Sequence, residues 1–142
     1  IGVQRGGSLL AWREYFPNAK ITGVDIVDQV TPQNKSASIK YVTADIRDYK
    51  PDEFFDIVID DGSHFLRDVI PAIVTFAYRL NRNGVMVLED VQSPDTWLRV
   101  VGNLLSPQLE YNKGHQFEVA YIDLRGENSK SDNFLIVITK LE

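Results

Sequence analysis

The sequence contains no cysteine. That absence removes a disulfide framework and a thiolate metal centre together, and it fits a reducing, cytoplasmic setting. No apolar stretch approaches the roughly 20 residues needed to span a bilayer as a helix, and no secretory leader is evident, so no membrane partner is expected. Positive charge is also in short supply: 15 Lys and Arg face 20 Asp and Glu, for a formal net charge of −5. Nucleic acid rewards clustered Lys and Arg, so an acidic chain has no global attraction for it, and only a small local basic patch stays open. Repeats and low-complexity segments are missing, as is the G-x-G-x-x-G dinucleotide fingerprint. There is no initiating Met; Ile1-Gly2-Val3 reads as the last part of a strand, so upstream sequence is expected to be missing.

What is present suits one domain over residues 1–142, with 44% hydrophobic and 25% charged residues. Strand-like and helix-like segments alternate as βαβ units do. After Ile1–Val3, a helix is expected from about Ser8 to Phe16, stopped by Pro17. Strands are expected over 19–26, 39–46, 54–60 and 84–90. The third of these, FFDIVID, is nearly continuously apolar, as a strand buried on both faces would be. Residues 66–80 read as a helix that kinks or starts at Pro71. Ser93-Pro94-Asp95 opens another helix, carrying Trp97, Val100, Val101, Leu104 and Leu105 at helical spacing. The last two strands, 117–125 and 133–141, are joined by a link too short for a crossover helix and are expected to pair as an antiparallel hairpin. Trp12 is expected in core or interface packing, and His115 in a loop. The predicted architecture is an open α/β sheet, mostly parallel, that binds ligands outside the carboxyl ends of its strands.

Those strand ends carry the chemistry. The first runs into GVQRGGS, where Gly2, Gly6 and Gly7 allow a tight turn and close approach of a ligand, and the helix starting near Ser8 presents free N–H groups there. Asp25 ends the second strand at about the spacing, roughly 20 residues past the glycine turn, of a ribose-binding carboxylate. Asp45 ends the third, although DIRD could equally begin a turn through Asp48. The fourth ends in Asp60, Asp61 and, three residues on, His64; the fifth ends in Glu89 and Asp90. Neighbouring strand ends meet in space, so these carboxylates are expected to converge, raising one another's pKa unless a hard cation such as Mg²⁺ relieves them. Asp61, Glu89 and Asp90 are the expected ligands, provided the chain leaves strand geometry so that adjacent Glu89 and Asp90 can face one ion. His64 is the natural general base; the competing reading makes Ser63 a helix cap and His64 an exposed first-turn residue.

Strand order, the G-x-x-x-G-G loop, Asp25, Asp45 and the closing hairpin together resemble the class I S-adenosylmethionine-dependent methyltransferases over nearly the whole chain. The resemblance implies a Rossmann-like, doubly wound seven-strand sheet with a C-terminal antiparallel hairpin, its first strand truncated here. It also implies S-adenosyl-L-methionine as cofactor. Gly2 and Gly6, with Gly7 and Ser8 beside them, would line its methionine part, Asp25 would hold the ribose, Asp45 and Ile46 would flank the adenine, and Asp60 would belong to the cofactor side. One departure is that the acidic residue many members carry before the first glycine is replaced by Ile1 or lies upstream. The pair DDGSH and ED is similar to a narrower group, the Mg²⁺-dependent sugar O-methyltransferases of macrolide and related antibiotic pathways, and to sequences called cephalosporin hydroxylase-like. That likeness implies a small-molecule hydroxyl acceptor, a metal held by Asp61, Glu89 and Asp90, and His64 as base. A homo-oligomer is left open. Two other readings compete: a nicotinamide-dependent Rossmann oxidoreductase, which Asp25 would suit equally, and a non-catalytic cofactor-binding domain.

Overall fold

The computed structural model describes residues 1–107, 112, 114–126 and 133–142. The chain divides into two compact units, Ile1–Tyr49 and Lys50–Glu142.

In the first unit a glycine turn leads into α1 (Gly7–Tyr15), followed by β1 (Ile21–Asp25) and β2 (Ile39–Thr43). The turn depends on Gly6, whose φ of 84° lies in the left-handed region and whose missing Cβ would stand 2.8 Å from Val30 Cγ1. α1 ends at Tyr15 with Phe16 as its C-cap, just before Pro17, as the proline requires. β1 and β2 pair in parallel, Ile21 opposite Ile39 through Asp25 opposite Thr43. Val3, Leu9 and Ile39 form the buried centre, with Leu10, Ile21, Val30 and Tyr41 packed against it. Arg13 ties the unit together by donating to the carbonyls of Pro17, Ala19 and Ser38. Trp12 stacks on Phe16 at the surface.

In the second unit β3 (Phe55–Asp60), α2 (Leu66–Phe76), β4 (Leu80–Leu88), α3 (Pro94–Leu104), β5 (Phe117–Asp123) and β6 (Phe134–Lys140) follow in order, with a 3₁₀ turn at Ala77–Arg79. The strand order is β3-β4-β6-β5, so the last strand lies inside the sheet. β3 and β4 are parallel, while β4–β6 and β5–β6 are antiparallel. The expected terminal hairpin is therefore present, with Phe117 opposite Lys140 and Asp123 opposite Phe134. Most of its connecting segment, residues 127–132, lies outside the described residues, as does Lys113. α2 continues through Pro71, so it does not start there, and it buries Val69, Ala72, Ile73 and Phe76 at helical spacing. Trp97 and Val101 do the same for α3.

The sheet departs from expectation in four places. Six strands are found among the described residues, and Ile1–Val3 is not one of them, although Gly2 N–H donates to the Val24 carbonyl at 2.9 Å. The ladders are two parallel and two antiparallel rather than mostly parallel, because β6 inserts between β4 and β5. β3 is not buried on both faces: as an edge of its ladder it leaves Ile57 47% exposed. β4 begins earlier than expected, at Leu80, through an irregularity that pairs Phe55 with Leu80 but Ile57 with Val85. Gly84 permits that irregularity, since a Cβ there would sit 2.9 Å from the carbonyl oxygens of both Asn81 and Phe55.

Lys140, read only as part of a strand, points inward on the buried face of β6. Its ammonium donates to the carbonyls of Tyr78 (3.1 Å) and Leu80 (3.0 Å), where the chain leaves the 3₁₀ turn for β4. Burial pulls its pKa down.

Candidate functional site

Two groups of strand-end residues are built, one in each unit. In the first, Asp25 sits at the end of β1 and binds the glycine turn. Its Oδ2 accepts the N–H groups of Val3 (2.7 Å) and Gln4 (2.9 Å), and its Oδ1 accepts Val27 N–H at 3.3 Å. Burial works to raise this carboxyl's pKa, but the backbone donors of Gln4, Val3, Val27 and Ile26 outweigh it and the net shift is downward. Gly2 and Gln4 both adopt left-handed φ, 78° and 46°, and so shape the turn that Asp25 holds. Gly7 and Ser8 are the first residues of α1 and are exposed. A Cβ at Gly7 would meet nothing within 4 Å, so packing within the chain does not demand glycine there.

Asp45 lies beyond the end of β2. Its carboxylate is gripped by Arg47, whose Nε donates at 2.9 and 3.1 Å to the two oxygens and whose Nη2 also donates to Oδ2. The side-chain bonds from Arg47 bring the Asp45 pKa down to about 2. Asp48 and Tyr49 N–H both donate to the Asp45 carbonyl, so DIRD forms a turn. Ile46 is half-buried beside it.

In the second unit the parallel register sets Asp60 opposite Leu88, and Glu89 N–H continues the ladder by donating to the Asp60 carbonyl at 2.9 Å. The two acidic strand ends are thus neighbours. Asp60 is buried at 5% exposure, accepts Gly62 N–H at 3.2 Å, and has its pKa raised by burial. Past it the chain bends. His64 and Asp90 both take left-handed φ, 56° and 51°, a region that Asp and His enter more readily than most residues. At Asp90 the chain has left strand geometry, β4 having ended at Leu88.

The bends gather Asp61, His64 and Asp90, with one ligand atom from each within 4.8 Å of the others. Glu89 is not among these three, yet it feels them. Burial raises its pKa most, the Asp61 and Asp90 charges raise it further, and His64 opposes them. For Asp61, burial again raises the pKa most, His64 lowers it, and Asp90 raises it. His64 Nδ1 is 3.3 Å from the Glu89 carbonyl, and its Nε2 is 3.9 Å from Asp61 Oδ1. With Nδ1 protonated and donating to that carbonyl, the Nε2 lone pair faces the carboxylates. Such a cluster has a deficit of positive charge, and oxygen donors with one imidazole suit a hard divalent cation that keeps several waters.

His64 precedes α2 and is half-buried, so it is not a first-turn residue. Ser63 does not occupy the N-cap of α2; its hydroxyl donates to Asp68 Oδ2 at 2.6 Å. The N-cap residue is Phe65, which makes no side-chain capping bond and is 61% exposed. Sequence reasoning passed over Phe65, although an apolar residue where Ser, Thr, Asp or Asn would cap is a readable signal. His115 precedes β5 and packs near Tyr78 and Phe117, away from the acidic cluster's residues in sequence and in its contacts. No helix among the described residues is long and apolar enough to cross a membrane.

No family model matches the chain. Over 99 residues it is 40% identical to 8-demethyl-8-alpha-L-rhamnosyl tetracenomycin-C 2'-O-methyltransferase of Streptomyces olivaceus, covering 62% of this chain and 25% of the relative. Over 94 residues it is 34% identical to mycinamicin VI 2''-O-methyltransferase of Micromonospora griseorubida, covering 61% of this chain and 23% of the relative. The chain thus spans about a quarter of the length of these curated relatives. Among solved structures it resembles the MycE methyltransferase from the mycinamycin biosynthetic pathway, in complex with Mg, SAH and mycinamycin VI. The TM-score is 0.64 at 24% identity, covering 95% of this chain and 40% of that one. The fold is that of a methyltransferase. All three proteins are named methyltransferases, and nothing in them favours the nicotinamide reading.

Proposed function

We propose that residues 1–142 are the cofactor-binding, catalytic domain of a cytoplasmic S-adenosylmethionine-dependent O-methyltransferase acting, with Mg²⁺, on a hydroxyl of a sugar or other small-molecule natural product. The reading carries with it the seven-strand, doubly wound sheet of that fold. The observation that supports it most is the meeting of Asp61, His64 and Asp90 at the ends of two neighbouring parallel strands.

In this reading the glycine turn from Gly2 to Ser8 receives the methionine part of the cofactor, and Asp25 both fixes that turn and offers its Oδ1 to the ribose. Asp45 and Ile46 flank the adenine, the Asp45 carboxylate being oriented by Arg47; Asp60 is also assigned to the cofactor. Asp61 and Asp90 hold the cation, with Glu89 as a third carboxylate beside them. When bound, Mg²⁺ supplies Lewis acidity that lowers the pKa of an acceptor hydroxyl and positive charge that offsets the carboxylates. His64, its Nδ1–H held by the Glu89 carbonyl, presents Nε2 to take the hydroxyl proton. S-adenosylmethionine, held by the glycine turn, Asp25 and Asp45, would supply a sulfonium methyl for transfer to the acceptor oxygen, with neutral S-adenosylhomocysteine as the product. Orientation of the two reactants provides much of the acceleration.

Calorimetry on the full chain tests the reading. S-adenosylhomocysteine is expected to bind and NAD⁺ and NADH are not. Tight binding of either nicotinamide with no S-adenosylhomocysteine binding reverses the assignment.

A further inference from the structure

Phe65 departs from local expectation in two ways. It stands at the N-cap of α2 with extended dihedrals, φ −96° and ψ 133°, that would suit a Ser or Asn cap, yet it supplies no capping bond. It is also one of the larger apolar side chains left in solvent, at 61% exposure. Positions where a sequence breaks its own local rules are where function is expected.

The ring is nonetheless held. The Arg67 guanidinium lies 5.3 Å from its centroid. Arg67 Nε is in turn 3.6 Å from Asp68 Oδ2, the same oxygen that accepts the Ser63 hydroxyl at 2.6 Å. This chain of contacts begins and ends on the two residues that flank His64, and His64 is one of the three clustered groups. The segment therefore presents an exposed aromatic ring on the residue that follows His64, a member of the acid–imidazole cluster. An aromatic ring beside a few convergent polar groups is how small-molecule pockets fix orientation.

We propose that Phe65 is the acceptor platform: its ring packs against the C–H face of a deoxyhexose whose vicinal hydroxyls reach Asp61, His64 and Asp90. The inference rests on the sugar O-methyltransferase reading above. A deoxyhexose is preferred because it lacks one hydroxyl of an ordinary hexose and so offers more apolar surface to a ring. A rhamnosyl group is moreover the unit named in the Streptomyces olivaceus relative.

The test is saturation-transfer NMR on the full chain with S-adenosylhomocysteine and Mg²⁺, using methyl α-L-rhamnopyranoside as the probe. Wild type is expected to saturate the sugar's ring C–H protons. Phe65→Ala is expected to weaken binding about tenfold, Phe65→Trp to retain it, and S-adenosylhomocysteine affinity to stay at the wild-type value in both. Phe65→Asn guards against a folding artefact: as a better cap it should melt no lower than wild type while losing the sugar. If Phe65→Ala binds the rhamnoside like wild type, or if wild type binds S-adenosylhomocysteine but not the rhamnoside, the platform is wrong and the methyltransferase reading stands. If wild type binds neither, both fall.

Discussion

Replacing Asp61 by Asn should stabilise the metal-free protein, although it removes a group assigned to the site. The ligand atoms of Asp61 and Asp90 are within 4.8 Å. Two unit charges at that distance repel by about 3–4 kcal/mol at an effective dielectric near 20 and by about 1 kcal/mol in bulk water. The Asp61 side chain is 48% exposed, so solvent screens it and the lower end applies: about 1 kcal/mol. In EDTA at pH 7.5, Asp61→Asn should therefore melt about 3 °C above wild type. The dependence on pH has a definite sign. The folded pKa values of Asp61 and Glu89 lie above their ordinary values. As pH falls, these two groups take up protons in the folded protein before they do in the unfolded chain, so their contribution to metal-free stability rises from neutral pH through the raised values and levels off below about 4. Asp61→Asn should flatten that rise. Mg²⁺ favours wild type instead. An ion at ten times its dissociation constant adds about 1.4 kcal/mol to wild type, and the variant, short of a ligand, should gain less than half as much. Calorimetric melts with and without 10 mM Mg²⁺ (about that excess for a weak, ~1 mM site) decide the matter. A variant no more stable than wild type in EDTA, or one gaining equally from Mg²⁺, would refute the reasoning.

Four further outcomes are expected. His64→Ala should abolish methyl transfer to a rhamnosylated acceptor while leaving S-adenosylhomocysteine affinity unchanged by calorimetry; unchanged turnover would remove His64 as the base. Asp25→Asn keeps one carbonyl acceptor but loses the charge that binds Val3 and Gln4 N–H, which should cost about 1–2 kcal/mol in urea melts. Because the Asp25 pKa is depressed in the fold, that contribution is present above about pH 4 and lost as pH falls through the depressed value, so the variant's acid limb should be shallower. Gly84→Ala places a methyl against two carbonyl oxygens and should cost about 1–3 kcal/mol by urea midpoint. Lys140→Met withdraws the donor from the Tyr78 and Leu80 carbonyls and should cost about 1–3 kcal/mol near neutral pH. Since burial lowers the lysine's pKa, wild-type stability should rise with pH in the alkaline range below about 10.4, a slope the variant should lack.

The parts legible in the sequence are those written in local chemistry. Apolar runs marked β3, β4 and β6, and a seven-residue polar gap marked the hairpin, because those signals depend on period and length alone. The meeting of DDGSH with ED was readable because parallel neighbours must end side by side. What escaped needed the third dimension. The bulge at Leu80–Gly84 is visible only once the register with Phe55 and Ile57 is known. Asp45 could be read as a ligand or a turn, and its grip by Arg47 follows from a side-chain geometry that spacing does not specify. The pairing of Asp25 with the amides of Val3 and Gln4 belongs to the same class. Nor does composition reveal that His64 and Asp90 both turn left-handed, which is what lets His64, rather than Glu89, join Asp61 and Asp90 in the tightest group.

The placement of β6 between β4 and β5 has a consequence for biosynthesis. During synthesis β5 leaves the ribosome with no strand to pair with, and the open side of β4 stays bare until residues 134–140 have emerged. Exposed strand edges invite wrong partners, and pairing of late, distant segments is slow. Truncations that remove only the final strand should accumulate as insoluble chains rather than as a smaller folded sheet, and a chaperone that shields nascent strands should raise the yield of intact protein.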